Sequence, residues 1–154
     1  HSCDGKFSCW ERTPGKCVYD DAGSEIAETA VNSDFMLMLT PVVFGGYSYL
    51  LKNAQERSIP DTLPFLAVIN GEIHHRARYD KYPALAGLGV LDGPDEESET
   101  SFRTLLSRNK LNMHAPAVYG EVFHRQAGLK EAERKLESLL ARMGIIPLPE
   151  RGRP

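Results

Sequence analysis

Apolar residues recur at two spacings along this chain. Ala22, Ile26, Ala27, Ala30 and Val31 fall at helical spacing behind Asp20-Asp21, which offers an N-cap. Residues 35–39, FMLML, form an unbroken apolar run, the pattern of a strand covered on both faces in a parallel sheet. Tyr47, Leu50, Leu51 and Ala54 then stripe the inner face of a helix that stops before Pro60. Residues 65–69 read as a second buried strand, ending at Asn70-Gly71. A long polar loop, GEIHHRARYDKYP, and a small-residue stretch, ALAGLGVLDGP, separate it from the next helix signals at 95–98. Phe102, Leu105 and Leu106 lie on one face of that helix. Residues 115–119 read as a third strand, and Pro116 assigns it to a sheet edge because proline cannot donate to a ladder. Leu129, Ala132, Leu136, Leu139, Leu140 and Met143 stripe the last helix, with Gly144 where a C-cap is expected and Pro147 just beyond.

Helices alternating with buried apolar strands predict an α/β fold, a parallel sheet flanked by helices on both faces. The length of 154 residues fits one domain. It is expected over residues 1–147, with 148–154 (LPERGRP) as a loose tail. Hydrophobic residues at 42% and charged residues at 25% are ordinary globular values. A formal net charge of -3 and the lack of a basic block give no reason to expect nucleic acid as a partner. No apolar run is long enough to span a bilayer, so no membrane is expected and a cytoplasmic location is the default. The chain starts His-Ser-Cys in what reads as mid-domain sequence, which suggests a truncated or processed product.

The stretch TPVVFGGYS, residues 40–48, breaks from strand through a Gly-Gly turn into a helix, an arrangement that parallel α/β proteins use to hold a ligand. Its plainer reading is an ordinary connection whose small residues let strand and helix pack. Cys3, Cys9 and Cys17 all lie in an irregular segment, and their odd number argues against a disulfide framework. Free thiols, a three-thiolate zinc site and a redox pair stay open. His74 and His75 are adjacent, so on a strand they point to opposite faces and cannot share a metal. With Arg76, Arg78 and Lys81 they make a basic loop that is either solvated, an oligomer contact or a landing site for nicotinamide phosphates. The acidic run Asp92, Asp95, Glu96, Glu97 and Glu99 suits a helix N-terminus. His114 and His124 carry no assigned role. No nucleophile–base pair and no nucleotide-binding glycine motif is present, so no catalytic or metal-ligating residue is assigned.

Three stretches taken together carry a resemblance. CDGKFSCWERTPGKCVYDDAGSEI, then SDFMLMLTPVVFGGYSYLLKNAQER, then PFLAVINGE, in this order, resemble the flavodoxin-like NAD(P)H-dependent FMN reductases and the related iron–sulfur flavoproteins, over about Cys3 to Gly144. The resemblance implies a flavodoxin-like three-layer sandwich with FMN across the C-terminal ends of the strands. Thr40, Pro41, Val42, Phe44, Gly45, Gly46 and Tyr47 would contact the flavin, with Gly71 and Glu72 at a second loop. NAD(P)H would be the co-substrate and a small molecule or protein the electron acceptor. A homo-oligomer, or a partner chain supplying missing strands, is expected. Two departures stand out. The family's N-terminal β-α-β portion, with its phosphate-binding loop, is missing. Lys6 also stands where the iron–sulfur flavoproteins have a middle cysteine, which speaks against an Fe–S cluster because such clusters normally need four thiolates. The alternative reading is a flavin-free flavodoxin-like subunit whose sheet is completed by another chain.

Overall fold

A computed structural model describes residues 1–147, and the expected tail at 148–154 lies outside the described residues. It is an α/β structure. Three parallel strands, β1 (Phe35–Pro41), β4 (Ala84–Leu91) and β5 (Val118–His124), form a sheet in the order β1-β4-β5. A separate antiparallel hairpin is made by β2 (Thr62–Ile69) and β3 (Glu72–Ala77). The helices are α1 (Ser8–Glu11), α2 (Ala22–Val31), α3 (Tyr49–Glu56), α4 (Glu96–Asn112) and α5 (Leu129–Arg142). None of them is long and apolar enough to cross a membrane.

Two elements differ from expectation. Residues 65–69 do not join the parallel sheet, because Asn70 (φ 52) and Gly71 (φ 84) turn the chain back on itself. Two consecutive positive-φ residues give the tight turn whose twist matches a two-stranded ribbon. The polar loop that follows is therefore largely strand β3. The central strand is instead the small-residue stretch, buried over nearly its whole length as β4. The third strand lies at an edge among the described residues, but it begins after Pro116, so the proline is not the reason.

Alternate residues of β4 face different layers. Leu85 and Leu91 join Met38, Phe102, Leu106 and Val122 in one core, on the side of α3 and α4. Ala86 and Leu88 join Phe123, Leu139 and Met143 in a second core beneath α5. Gly87 and Gly89 sit where α4 approaches most closely. A Cβ at Gly87 would lie 2.6 Å from Leu106 Cδ2, and one at Gly89 would lie 2.7 Å from Val42 Cγ2 and 2.9 Å from Phe102 Cε1.

Strand β1 is half covered. Met36, Met38 and Thr40 point into the α4-side core, while Phe35, Leu37 and Leu39 face solvent, Leu39 being 68% exposed. Leu37 and Leu39 pair with Ala86 and Leu88, so the bare face lies on the α5 side. The expectation of cover on both faces fails because α5 lies over β4 and β5 and does not reach β1.

The close approach at β4 predicts a large effect from one methyl group. Gly89→Ala should cost about 1–3 kcal/mol, the usual range for overpacking a core. Urea denaturation checks it, and a loss of only a few tenths would show that Phe102 moves aside freely.

Candidate functional site

The loop between β1 and α3 is fixed from within. Thr40 is fully buried, and its Oγ1 accepts the Ser48 amide at 3.0 Å while donating to the Pro41 carbonyl at 2.9 Å. The Val42 amide donates to the Val90 carbonyl at 2.8 Å, so the loop leaves the sheet beside the end of β4. Val43 and Gly46 exchange reciprocal backbone hydrogen bonds of 3.0 and 2.9 Å around Phe44 (φ 49) and Gly45 (φ 72). Gly45 is buried, and a Cβ there would strike the Ser101 Cβ at 2.5 Å. Phe44 at the tip is 103% exposed. A bulky residue held in the left-handed region costs on the order of 1 kcal/mol or more and is retained where surrounding structure enforces it.

Tyr47 turns inward. Its ring meets Phe102 edge-on at 5.8 Å and its hydroxyl accepts from Asn109 Nδ2 at 2.9 Å, while burial raises its pKa. Helix α3 starts later than expected, at Tyr49, with Ser48 as N-cap and Leu50 exposed on its outer side. Of the seven expected flavin contacts in this loop, Pro41 and Phe44 are open to solvent and Val42 and Gly46 partly so. Thr40, Gly45 and Tyr47 are packed inside.

Gly71 and Glu72 lie on the hairpin, away from that turn. Arg108 and His74 hold Glu72, and hydrogen bonding to the Arg108 guanidinium, followed by His74, pulls its pKa down to about 2. Arg108 is seven residues along α4 from Ser101, roughly 10 Å at 1.5 Å per residue. His74 is buried and bonds Asn112 Oδ1 at 3.1 Å, whereas His75 faces Trp10 with centroids 4.7 Å apart. The two histidines thus point to opposite faces, as a strand requires.

Between the hairpin, α3 and α4 lies a cleft of about 650 Å³ that reaches from Gly46 and Tyr47 to His74 and His75. Asp61 lines it. This residue is 8% exposed, and its carboxylate makes no hydrogen bond or ion pair among the described residues. Burial pushes its pKa up to about 7, partly opposed by the Arg78 charge. Residue patterning missed both Asp61 and Trp10, since an aspartate after a proline and a lone tryptophan in an irregular segment carry no periodic signal.

The cysteine segment is clasped by Arg57. Arg57, 2% exposed, donates to the Cys17 sulfur at 3.1 Å, to the His1 carbonyl at 2.7 Å and to Asp21 Oδ1 at 2.6 Å. Hydrogen bonding to Arg57 holds the Asp21 carboxylate well below its usual range. Among the described residues no three His, Cys, Asp or Glu side chains are placed to hold a metal. Comparison with known protein families, curated proteins and solved structures finds no match for this chain.

The sign of the Asp61 effect is testable. Its carboxyl titrates near 3.8 when unfolded and at about 7 in the fold, so the folded state keeps its proton longer. Stability therefore falls as pH rises from 3.8 to about 7, by a penalty on the order of 4 kcal/mol. Asp61→Asn cannot ionise and should gain on the wild type through this window. Urea denaturation at about pH 4 and about pH 8 measures the gap. An equal gap at both ends would mean that the carboxylate is well solvated.

Proposed function

We propose that this chain is a flavin-dependent oxidoreductase of flavodoxin-like fold, passing a hydride from NAD(P)H through FMN to an acceptor. The observation that carries this reading is Phe44, an exposed aromatic ring held at positive φ where β1 ends. Open parallel sheets bind ligands beyond the carboxyl ends of their strands, where the strand order reverses. The three described strands advance in one direction, β1 to β4 to β5, so any reversal falls at the open edge of β1, beside this turn.

The residues present suit the ring part of FMN. Phe44 offers a flat apolar face, and Val42, Gly45 and Gly46 supply backbone that can approach closely. They do not suit its phosphate. The amino end of α4 carries Asp95, Glu96, Glu97 and Glu99, whose charges repel an anion. Ser48 caps α3 with its own side chain. A bound flavin supplies the hydride chemistry. The chain's part is to hold the loop rigid through Thr40, anchor it on α4 through Gly45 and Tyr47, and present Phe44 outward. Gly71 and Glu72 do not line the cleft behind the loop and add no support to this reading.

A direct test is uptake of added FMN, read as quenching of flavin fluorescence, with bleaching of the bound flavin by NAD(P)H. Phe44→Ala should weaken that uptake about ten-fold, the scale of one aromatic stacking contact. A colourless protein that takes up no FMN sinks the proposal.

A second reading rests on the bare side of β1. Phe35, Leu37 and Leu39 are exposed on a strand whose outer edge has no partner among the described residues, a surface that proteins seldom leave open. On this reading the chain is a flavin-free subunit and a partner chain completes the sheet by strand addition. Sedimentation of the wild type and of Leu37→Lys separates the cases. Association that the lysine abolishes supports the subunit reading, and a monomer in both counts against it.

A further inference from the structure

The cleft behind the loop has the parts of a binding site independent of any flavin. Its backbone around Asp61 is fully engaged. The Asp61 amide donates to the Ser58 carbonyl at 2.9 Å, and the Tyr82 hydroxyl donates to the Asp61 carbonyl at 2.5 Å. The backbone is thus fixed in place, while the carboxylate has no hydrogen-bonding partner among the described residues. Arg78 acts on it only through its charge and makes its hydrogen bonds to the Pro60 carbonyl at 2.7 Å and the Thr62 carbonyl at 3.3 Å. Its oxygens keep contact with the solvent that fills the cleft, so a ligand can reach them, and with no protein donor their accepting capacity is free.

An aromatic wall stands next to it. The Trp10 indole N–H donates to the carbonyl of Thr62, the neighbour of Asp61, at 2.9 Å. Phe7 stacks on one side of Trp10 at 5.0 Å and His75 lies against it at 4.7 Å. Leu66, Ile73, Leu105 and Met113 make the remaining lining mostly apolar. The other charged groups in the cleft are engaged elsewhere: Lys52 with Glu56 at 2.5 Å, and His74 with Glu72 and Asn112. The volume of about 650 Å³ suits a small organic molecule.

We infer that this cleft binds a small planar aromatic cation, an aryl amidine, with its charged nitrogens on the Asp61 carboxylate and its ring along the Trp10 wall. The cation supplies the donors that the carboxylate lacks, and the aromatic wall favours a flat positive ligand over an aliphatic one.

Trp10 is the single tryptophan of the chain, so its fluorescence reports directly on the cleft. Benzamidine and its neutral counterpart benzamide are titrated into the whole protein at about pH 8, where an acid with a pKa about 7 is mostly ionised. Benzamidine should bind saturably and at least about ten-fold more tightly than benzamide. Asp61→Asn should abolish that preference. Because this variant is expected to be the more stable protein at this pH, a loss of binding is not a loss of fold. Calorimetry on Trp10→Leu should show both probes weakened. The proposal is overturned by the absence of saturable benzamidine binding up to about 10 mM, the weak end of fragment affinities. Equal binding of the two probes, or unchanged preference in Asp61→Asn, overturns it as well. None of these outcomes bears on FMN uptake.

Discussion

The close approach of α4 to β4 is the contact on which the other features depend. Gly87 and Gly89 leave no side chain between helix and sheet, so Leu106 and Phe102 rest directly on the backbone. From that position α4 serves three clients along its length. Ser101, near its start, closes on Gly45 and fixes the turn that carries Phe44. Asn109, further along, takes the Tyr47 hydroxyl and so anchors the approach to α3. Arg108 and Asn112, near its end, hold the hairpin through Glu72 and His74. A two-stranded ribbon is marginal by itself. Here it depends on these polar ties and on the aromatic contact with Trp10.

Arg57 plays the corresponding part for residues 1–21, which contain only one short helix. A nearly buried guanidinium must be fully paired to be tolerated. This one reaches Asp21, the Tyr19 and His1 carbonyls and the Cys17 sulfur, and stacks over the Tyr19 ring at 5.5 Å. Gly23 makes room for it, since a Cβ there would lie 2.8 Å from the guanidinium carbon. The clasp keeps the segment folded against α3, and α1 then brings Trp10 over the cleft. The position of the aromatic wall thus traces back to the ion pair between Arg57 and Asp21.

The α/β class, the cap at Asp21, the C-terminal glycine at Gly144 and the helix start near Asp95 were legible because each rests on a local rule of periodicity or backbone chemistry. The central strand was not. ALAGLGVL is a buried apolar run of the right length, but two glycines argue against a strand until the helix lying on them is known. The hairpin was legible in principle: Asn-Gly between apolar runs is a strong turn signal. The apolarity of residues 65–69 outweighed it because exposed hydrophobes such as Phe65 and Val68 look like core in a sequence. For the candidate site, the sequence located the loop and left Asp61 and Trp10 unseen. Their proximity comes from tertiary contacts with Thr62 and Tyr82 that no spacing encodes.

Three departures from local rules lie at the loop, the cleft and the open strand. Phe44 occupies a backbone conformation that suits glycine, as Phe7, Asn70 and His114 also do, Asp61 has no protein donor, and Leu37 and Leu39 face water on an open strand. Sequences that specify one structure keep propensity, packing and polar satisfaction in agreement, and departures concentrate where function has a claim. Each departure here is held by neighbours that obey the rules: Thr40 and Gly45 behind Phe44, Tyr82 and Ser58 around Asp61, Met38 and Thr40 beneath β1. Faulty packing would loosen those neighbours as well. The ordered packing behind each exposed or unpartnered group therefore argues against a packing fault as its cause.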